Sequence, residues 1–163
     1  MSGPQHEAQF VTLGLGREVF AVPVGYVREI LDYREPFAIP EGPAWFLGLT
    51  DVRGRPVPTI DLRVRLGLPS APRDLSTRIL VLDVPMAEQT LTLGLVADRV
   101  IEVVSAPEAS IESPPEIGVP WRSDYIRGVV RRDGGFVVLF DLPRLLSGAE
   151  LAALAAGSVE AAA

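Results

Sequence analysis

Residues 45–66, WFLGLTDVRGRPVPTIDLRVRL, and residues 125–146, YIRGVVRRDGGFVVLFDLPRLL, carry one pattern written twice. A shift of 80 superposes them and brings six identities into register: Gly48 on Gly128, Gly54 on Gly134, Val57 on Val137, Asp61 on Asp141, Leu62 on Leu142 and Leu66 on Leu146. Chance would supply roughly one or two, so the chain contains an internal repeat. In each window two apolar runs flank a glycine-centred turn. Phe46 to Val52 and Pro56 to Ile60 surround Arg53-Gly54-Arg55. Ile126 to Arg132 and Phe136 to Phe140 surround Asp133-Gly134-Gly135. Both read as β-hairpins. Each hairpin then runs into Asp-Leu. An aspartate at the end of a strand caps the turn that follows by accepting from free backbone N–H groups, which gives Asp61 and Asp141 a structural role. Pro143 fits the first turn of the second helix.

Outward from these windows, a shift of 73 aligns Ala21 to Leu31 with Gly94 to Val104, placing Val27 on Val100 and Glu29 on Glu102. The two shifts differ by 7, which predicts a longer loop in the second half around Pro114 to Arg122. Gln9 to Leu15 and Glu18 to Val22 read as strands around Gly16-Arg17, and Arg78 to Val84 and Leu91 to Val96 as strands around Pro85 to Gln89. Val24 to Leu31 fits a strand or a helix, since Val24, Val27, Ile30 and Leu31 share a helical face. Ser147 with Glu150 makes a capping box and Gly157 a stop, predicting a helix over 148–156.

Many short strands with close turns predict a mainly β fold, a closed barrel or a sandwich. The Pro-rich stretch Pro69 to Arg73 marks the boundary between halves of about 8–70 and 71–147 within a single domain of 8–158, with tails at 1–7 and 158–163. Units of about 70 residues bury too little surface alone, so the halves are expected to share an apolar layer.

Composition narrows the chemistry. Apolar residues make up 48% of the 163, enough for a core, and the formal charge of −6 disfavours nucleic acid and anionic lipid. No stretch has the ~18 apolar residues of a membrane helix, and no signal peptide is recognisable, so a cytoplasmic location without membrane insertion is expected. Cys is absent and His6 is the only His, which removes thiolate chemistry, zinc sites and a Ser-His-Asp triad. Glu108, Glu112 and Glu116 are spaced by four, but Pro107, Pro114 and Pro115 break any helix that would align them. No cofactor or metal is expected. Asp61 and Asp141, one per repeat, could be imagined as a hydrolase dyad. Each precedes a bulky Leu and a helical turn, which fits a cap and not a catalytic pair. All fifteen cations are Arg, and Arg53, Arg55, Arg63 and Arg65 form their one concentration. It reads either as a solvated face or as a docking surface. The second half has Asp133, Gly135 and Pro143 where the first has Arg53, Arg55 and Arg63, so the halves diverge there while keeping glycines and caps.

These motifs, in this order, resemble the CheW-like chemotaxis coupling proteins over about Gln9 to Leu154. The most specific piece is Phe46-Leu47-Gly48-Leu49-Thr50-Asp51-Val52-Arg53-Gly54 followed by Val57-Pro58-Thr59-Ile60-Asp61-Leu62-Arg63, similar to the family's Gly-x-x-Asn-x-Arg-Gly, Pro and apolar-Asp-Leu-Arg pattern. Val27-Arg28-Glu29-Ile30, Gly94 to Val104 with Asp98 and Val103, and Tyr125 to Leu146 are further matches. The resemblance implies two interlocked five-stranded SH3-like β-barrels with short helices, a C-terminal helix and a core between the barrels. It implies a non-catalytic cytoplasmic adaptor joining chemoreceptor tips to the regulatory domain of the histidine kinase CheA. A related adaptor of a gliding, pilus or developmental pathway is the alternative. Carried over by position, Val27, Glu29, Asp51, Arg53, Gly54 and Arg63 are the implied receptor- or kinase-binding residues. The chain departs from the family pattern at Asp51, where Asn is usual; an ionised Asp can only accept hydrogen bonds.

Overall fold

The computed structural model describes residues 7–40, 42–87, 89–113, 125–132 and 134–146. They form the strands β1 (Glu7–Leu15), β2 (Glu18–Pro23), β3 (Val27–Asp32), β4 (Phe46–Val52), β5 (Arg55–Asp61), β6 (Arg78–Pro85), β7 (Thr90–Ala97), β8 (Arg99–Pro107), β9 (Ile126–Arg132) and β10 (Gly135–Phe140). One-turn helices α1 (Leu62–Arg65) and α2 (Leu142–Leu145) follow β5 and β10. The helix expected over 148–156, its Ser147 cap and the 114–122 loop lie outside the described residues. The ambiguous Val24 to Leu31 is a 3-10 turn, Val24–Tyr26, leading into β3. Burial along β3 alternates with period two, so the shared helical face was coincidental. β8, missing from the strands read directly from the sequence, is the repeat counterpart of β3.

The strands make two five-stranded sheets, the folded form of the expected SH3-like barrels. Sheet A runs β8-β1-β2-β10-β9 and sheet B runs β3-β6-β7-β5-β4. Replacing each strand of one sheet by its repeat counterpart produces the other sheet. Strands of the two halves meet at four junctions, the antiparallel pairs β1–β8 and β3–β6 and two parallel ones. β5 lies on β7 with Thr59 opposite Gly94, and β10 lies on β2 with Leu139 opposite Ala21. These pairs are themselves repeat equivalents. Register skips one residue at equivalent places too: Arg28 in β3 and Ile101 in β8, Leu47 in β4 and Arg127 in β9. Each sheet is therefore built from strands of both repeats, β1–β5 and β6–β10.

Three apolar clusters result. Phe10, Ala21, Val104, Val137 and Leu139 fill sheet A, and Val52, Val57, Ile79, Val81 and Val96 fill sheet B. Between the sheets lies a larger cluster that includes Leu13, Phe20, Ile60, Leu80, Leu82, Leu93, Phe140 and Leu142. β6 shows why its sequence is apolar without alternation: Ile79 and Val81 face sheet B's interior while Leu80, Leu82 and Val84 face the shared core.

Two of the repeated glycines have a steric cause. The backbone of Phe37 exchanges hydrogen bonds of 2.8 and 2.9 Å with Leu49, and that of Glu112 exchanges 2.9 and 2.8 Å bonds with Val129. Each crossing segment thus lies against the edge strand beside Gly48 or Gly128. A Cβ on Gly48 would collide with the Phe37 carbonyl, and one on Gly128 would lie 2.6 Å from the Glu112 carbonyl. Gly48 also has φ +129°, a conformation that L side chains rarely adopt. Gly48→Ala is expected to cost about 3 kcal/mol, from backbone strain plus the forced displacement of Phe37. Chemical denaturation of the two alanine variants should show a smaller loss for Gly128→Ala.

Candidate functional site

β3 and β4 are the two edges of sheet B, and the curl of the sheet brings them together. Polar side chains close the gap. Arg34 Nη2 donates to the Asp51 carbonyl at 2.9 Å, and Arg53 Nε donates to Glu29 Oε2 at 3.2 Å. The β4–β5 turn has Val52 opposite Arg55, leaving Arg53 and Gly54 as its two central residues. Their φ angles are +53° and +82°, as a type I′ hairpin requires. Asp51 Oδ1 accepts from the Gly54 N–H at 2.9 Å and holds the turn. This bond uses only an acceptor, so Asp51 performs it as the carbonyl of Asn would, and the departure from the family pattern leaves the hairpin intact.

Arg53 is the informative residue. Gly or Asn fits its left-handed conformation better than Arg does. Its side chain is 82% exposed and adds nothing to the core. A strained residue kept for an exposed guanidinium points to surface chemistry. Beside it, β3 carries Val27 and Glu29, which the register skip at Arg28 places opposite Leu82 and Val81, on different faces of the sheet. Val27 is half-buried against the shared core with Val24 and Tyr26. Outward, Ile30 is exposed, and Phe37 on the adjoining crossing segment is 76% exposed. Val27, Glu29, Asp51, Arg53 and Gly54 thus lie along one rim of sheet B, with Arg55 exposed at its end.

Arg63 is not part of that rim. Its side chain is 18% exposed and its guanidinium grips Asp98, with Nε donating to Oδ1 at 2.8 Å. The pair holds the Asp98 pKa below the ordinary carboxylate range, chiefly through the Arg63 hydrogen bond. Arg65 also turns inward. It lies 5.3 Å from the Trp45 ring and 5.1 Å from the Tyr125 ring, and Nη2 donates to the Leu145 carbonyl at 2.9 Å. Trp45 and Tyr125 are repeat equivalents, so Arg65 sits between matching aromatics of the two halves. The arginine concentration is therefore not one solvated face: Arg53 and Arg55 point out, while Arg63 and Arg65 join parts of the fold.

The repeated aspartates end at helix starts. Asp61 Oδ1 accepts from the Val64 N–H at 3.4 Å, and Asp141 Oδ1 from the Arg144 N–H at 3.2 Å. Asp61 is further bound by Ser70 Oγ at 3.0 Å and Arg73 Nη2 at 3.1 Å, and its side chain is 2% exposed. Arg73 in turn stacks over Tyr33. Glu108 pairs with Arg127 and Glu112 with Arg131. Among the described residues, no group of three His, Cys, Asp or Glu could hold a metal ion, and no helix is long and apolar enough to cross a membrane.

Sequence reasoning did not find Asp98 as the partner of Arg63, Arg73 as the partner of Asp61, or the Arg65 sandwich. The one available signal was the alignment of Trp45 with Tyr125, two aromatics at the same repeat position.

A family model described as the CheW-like domain matches residues 9–150. The "Chemotaxis protein CheW" of Treponema pallidum (strain Nichols) is 29% identical over 155 residues, 95% of this chain and 91% of that one. The protein of the same description from Klebsiella aerogenes is 30% identical over 152 residues, 93% of this chain and 89% of that one. Among solved structures, the scaffolding protein TtCheW of Thermoanaerobacter tengcongensis superposes with a TM-score of 0.78 at 25% identity, covering 92% of this chain and 96% of that one.

Proposed function

The chain belongs to the CheW-like domain family, and we propose that it is a non-catalytic cytoplasmic adaptor that couples chemoreceptor tips to the regulatory domain of a CheA-type histidine kinase. The observation that carries this reading is the rim of sheet B, where Glu29, Asp51, Arg53 and Gly54 come together, Val27 precedes Glu29 on β3, and Arg53 is held in a strained conformation with its side chain in solvent. The rim combines apolar surface from Ile30 and Phe37 with the Glu29–Arg53 pair, which suits an amphipathic helical hairpin or a second sheet edge. The capping bonds of Asp61 and Asp141 favour a scaffold over a hydrolase, since each carboxylate is committed to a helix start. The direct test is calorimetric titration of the full chain with a receptor cytoplasmic hairpin and a kinase regulatory domain from the same genome. Folded protein that binds neither sinks the proposal.

One substitution separates docking from folding. Arg53→Asn should leave stability within about 0.5 kcal/mol of the parent, or slightly above it, because Asn tolerates the left-handed turn position. Binding of at least one partner should weaken about tenfold, as expected for loss of a charged contact of roughly 1.4 kcal/mol. A variant that melts early but binds normally would show that Arg53 serves the hairpin alone.

A further inference from the structure

Asp98 stands at the corner where the chain leaves β7 of sheet B and enters β8 of sheet A. Its carboxylate is shared between the two sheets. Oδ1 accepts from Arg63 Nε at 2.8 Å, and Oδ2 accepts from Arg63 Nη2 and from the Gly16 N–H, the latter at 2.7 Å. Gly16 is in the β1–β2 turn of sheet A, and Arg63 is in α1, directly after β5 of sheet B. Arg63 Nη1 also donates to the Pro69 carbonyl at 3.3 Å, and Arg99 Nη1 donates to the Gly16 carbonyl at 2.9 Å. A Cβ on Gly16 would lie 3.3 Å from Arg63 Nη2, and one on Gly14 would collide with the Arg99 guanidinium. Gly14 in β1 and Gly16 in the turn thus lie against the Arg99 and Arg63 guanidiniums.

The joint exists on one side only. In the repeat, Arg63 corresponds to Pro143 and Asp98 to Gly25. Neither replacement carries a charge, and the space a Cβ would enter at Gly25 is open to 4 Å. Among the described residues, a charge pair ties the sheets at the Asp98 corner, while the equivalent positions Gly25 and Pro143 hold no such pair. A bidentate guanidinium–carboxylate pair fixes angle as well as distance, because both groups are planar. The Nε/Nη2 edge of Arg63 is occupied by Asp98, and Nη1 donates to the Pro69 carbonyl.

We propose that Arg63 is a positioning residue for coupling: through Asp98 it fixes the angle between the two sheets, so that the rim bearing Val27 and Glu29 is presented in one geometry, and it does not itself touch the partner. This rests on the adaptor reading above. It also opposes the simplest meaning of Arg63's place in the family pattern, which is direct contact.

The two meanings predict opposite results at Asp98. If Arg63 contacts a partner, removing Asp98 frees its guanidinium, and binding stays the same or tightens. If Arg63 acts through Asp98, Asp98→Ala weakens binding as Arg63→Ala does, and the double variant is no worse than either single. The experiment uses the full chain well below its melting temperature. It measures binding of the kinase regulatory domain and the receptor hairpin, with a second readout that needs no partner. Because the chain lacks Cys, Ser105→Cys on sheet A and Arg55→Cys on sheet B give unique spin-label sites, both exposed. Expected are an at least tenfold loss of binding in each single variant, the same loss in the double, and an inter-sheet distance distribution broadened alike in all three. Normal binding by Asp98→Ala, or a distance distribution unchanged in Arg63→Ala, overturns the proposal. If the parent chain binds neither partner, the adaptor reading fails while the distance measurement still decides the joint.

Discussion

Residues 72–163 produced alone will show no cooperative melting transition. The fragment keeps β6 to β10, a whole repeat. Its strands, however, bond mainly to strands it lacks. β8 pairs with β1, β10 needs β2 on its parallel side, β7 needs β5, and β6 needs β3. What remains paired is the β6–β7 hairpin and the β9–β10 hairpin, and isolated hairpins are marginal in water. The shared core also loses Val11, Leu13, Leu15, Phe20, Val22, Ile60 and Leu62. Circular dichroism should show largely unstructured chain, and mixing with residues 1–71 should restore a sigmoidal melt. A monomeric fragment that melts cooperatively by itself would refute the exchange of strands as the basis of stability.

The second large effect separates two residues that the repeat makes equivalent. Asp61→Ala should cost about 3 kcal/mol and Asp141→Ala about 1 kcal/mol. Both substitutions remove a helix cap. At Asp141 that is most of the loss, because the side chain is a third exposed and its contact with Arg144 Nε is long, at 3.8 Å. At Asp61 the substitution also strips Ser70 and Arg73 of their acceptor and leaves Arg73, whose side chain is 24% exposed, without its counter-ion beside Tyr33. For a domain of this size the difference should appear as melting points lowered by about 6–12 °C and about 2–4 °C. Equal losses would reduce Asp61 to a cap like its counterpart.

The asymmetry between those aspartates marks where sequence reading stops. The cap role follows from local rules: a short acceptor after an apolar run, then Leu at the first helical turn. Glycine-centred hairpins are equally local, since Gly54 and Gly134 adopt the positive φ that the turns need. The rim was legible only through the family resemblance, because nothing local ties Glu29 to Arg53, 24 residues away. The arginine concentration misled for the same reason. Spacing places four arginines near one another along the chain, and only the packing of α1 against the β7–β8 corner and against Trp45 and Tyr125 turns two of them inward.

By itself the sequence determined the duplication, the mainly β class, the hairpins with their glycines and the capped turns, since each depends on residues within a few positions of one another. The tertiary structure alone decided that the repeats exchange strands, that Arg63 grips Asp98 and that Asp61 is buried under Arg73. Those contacts join positions far apart in the chain. Which long-range partner wins is set by how much apolar surface the whole assembly buries and which charges it leaves paired, and neither quantity can be read from any one segment.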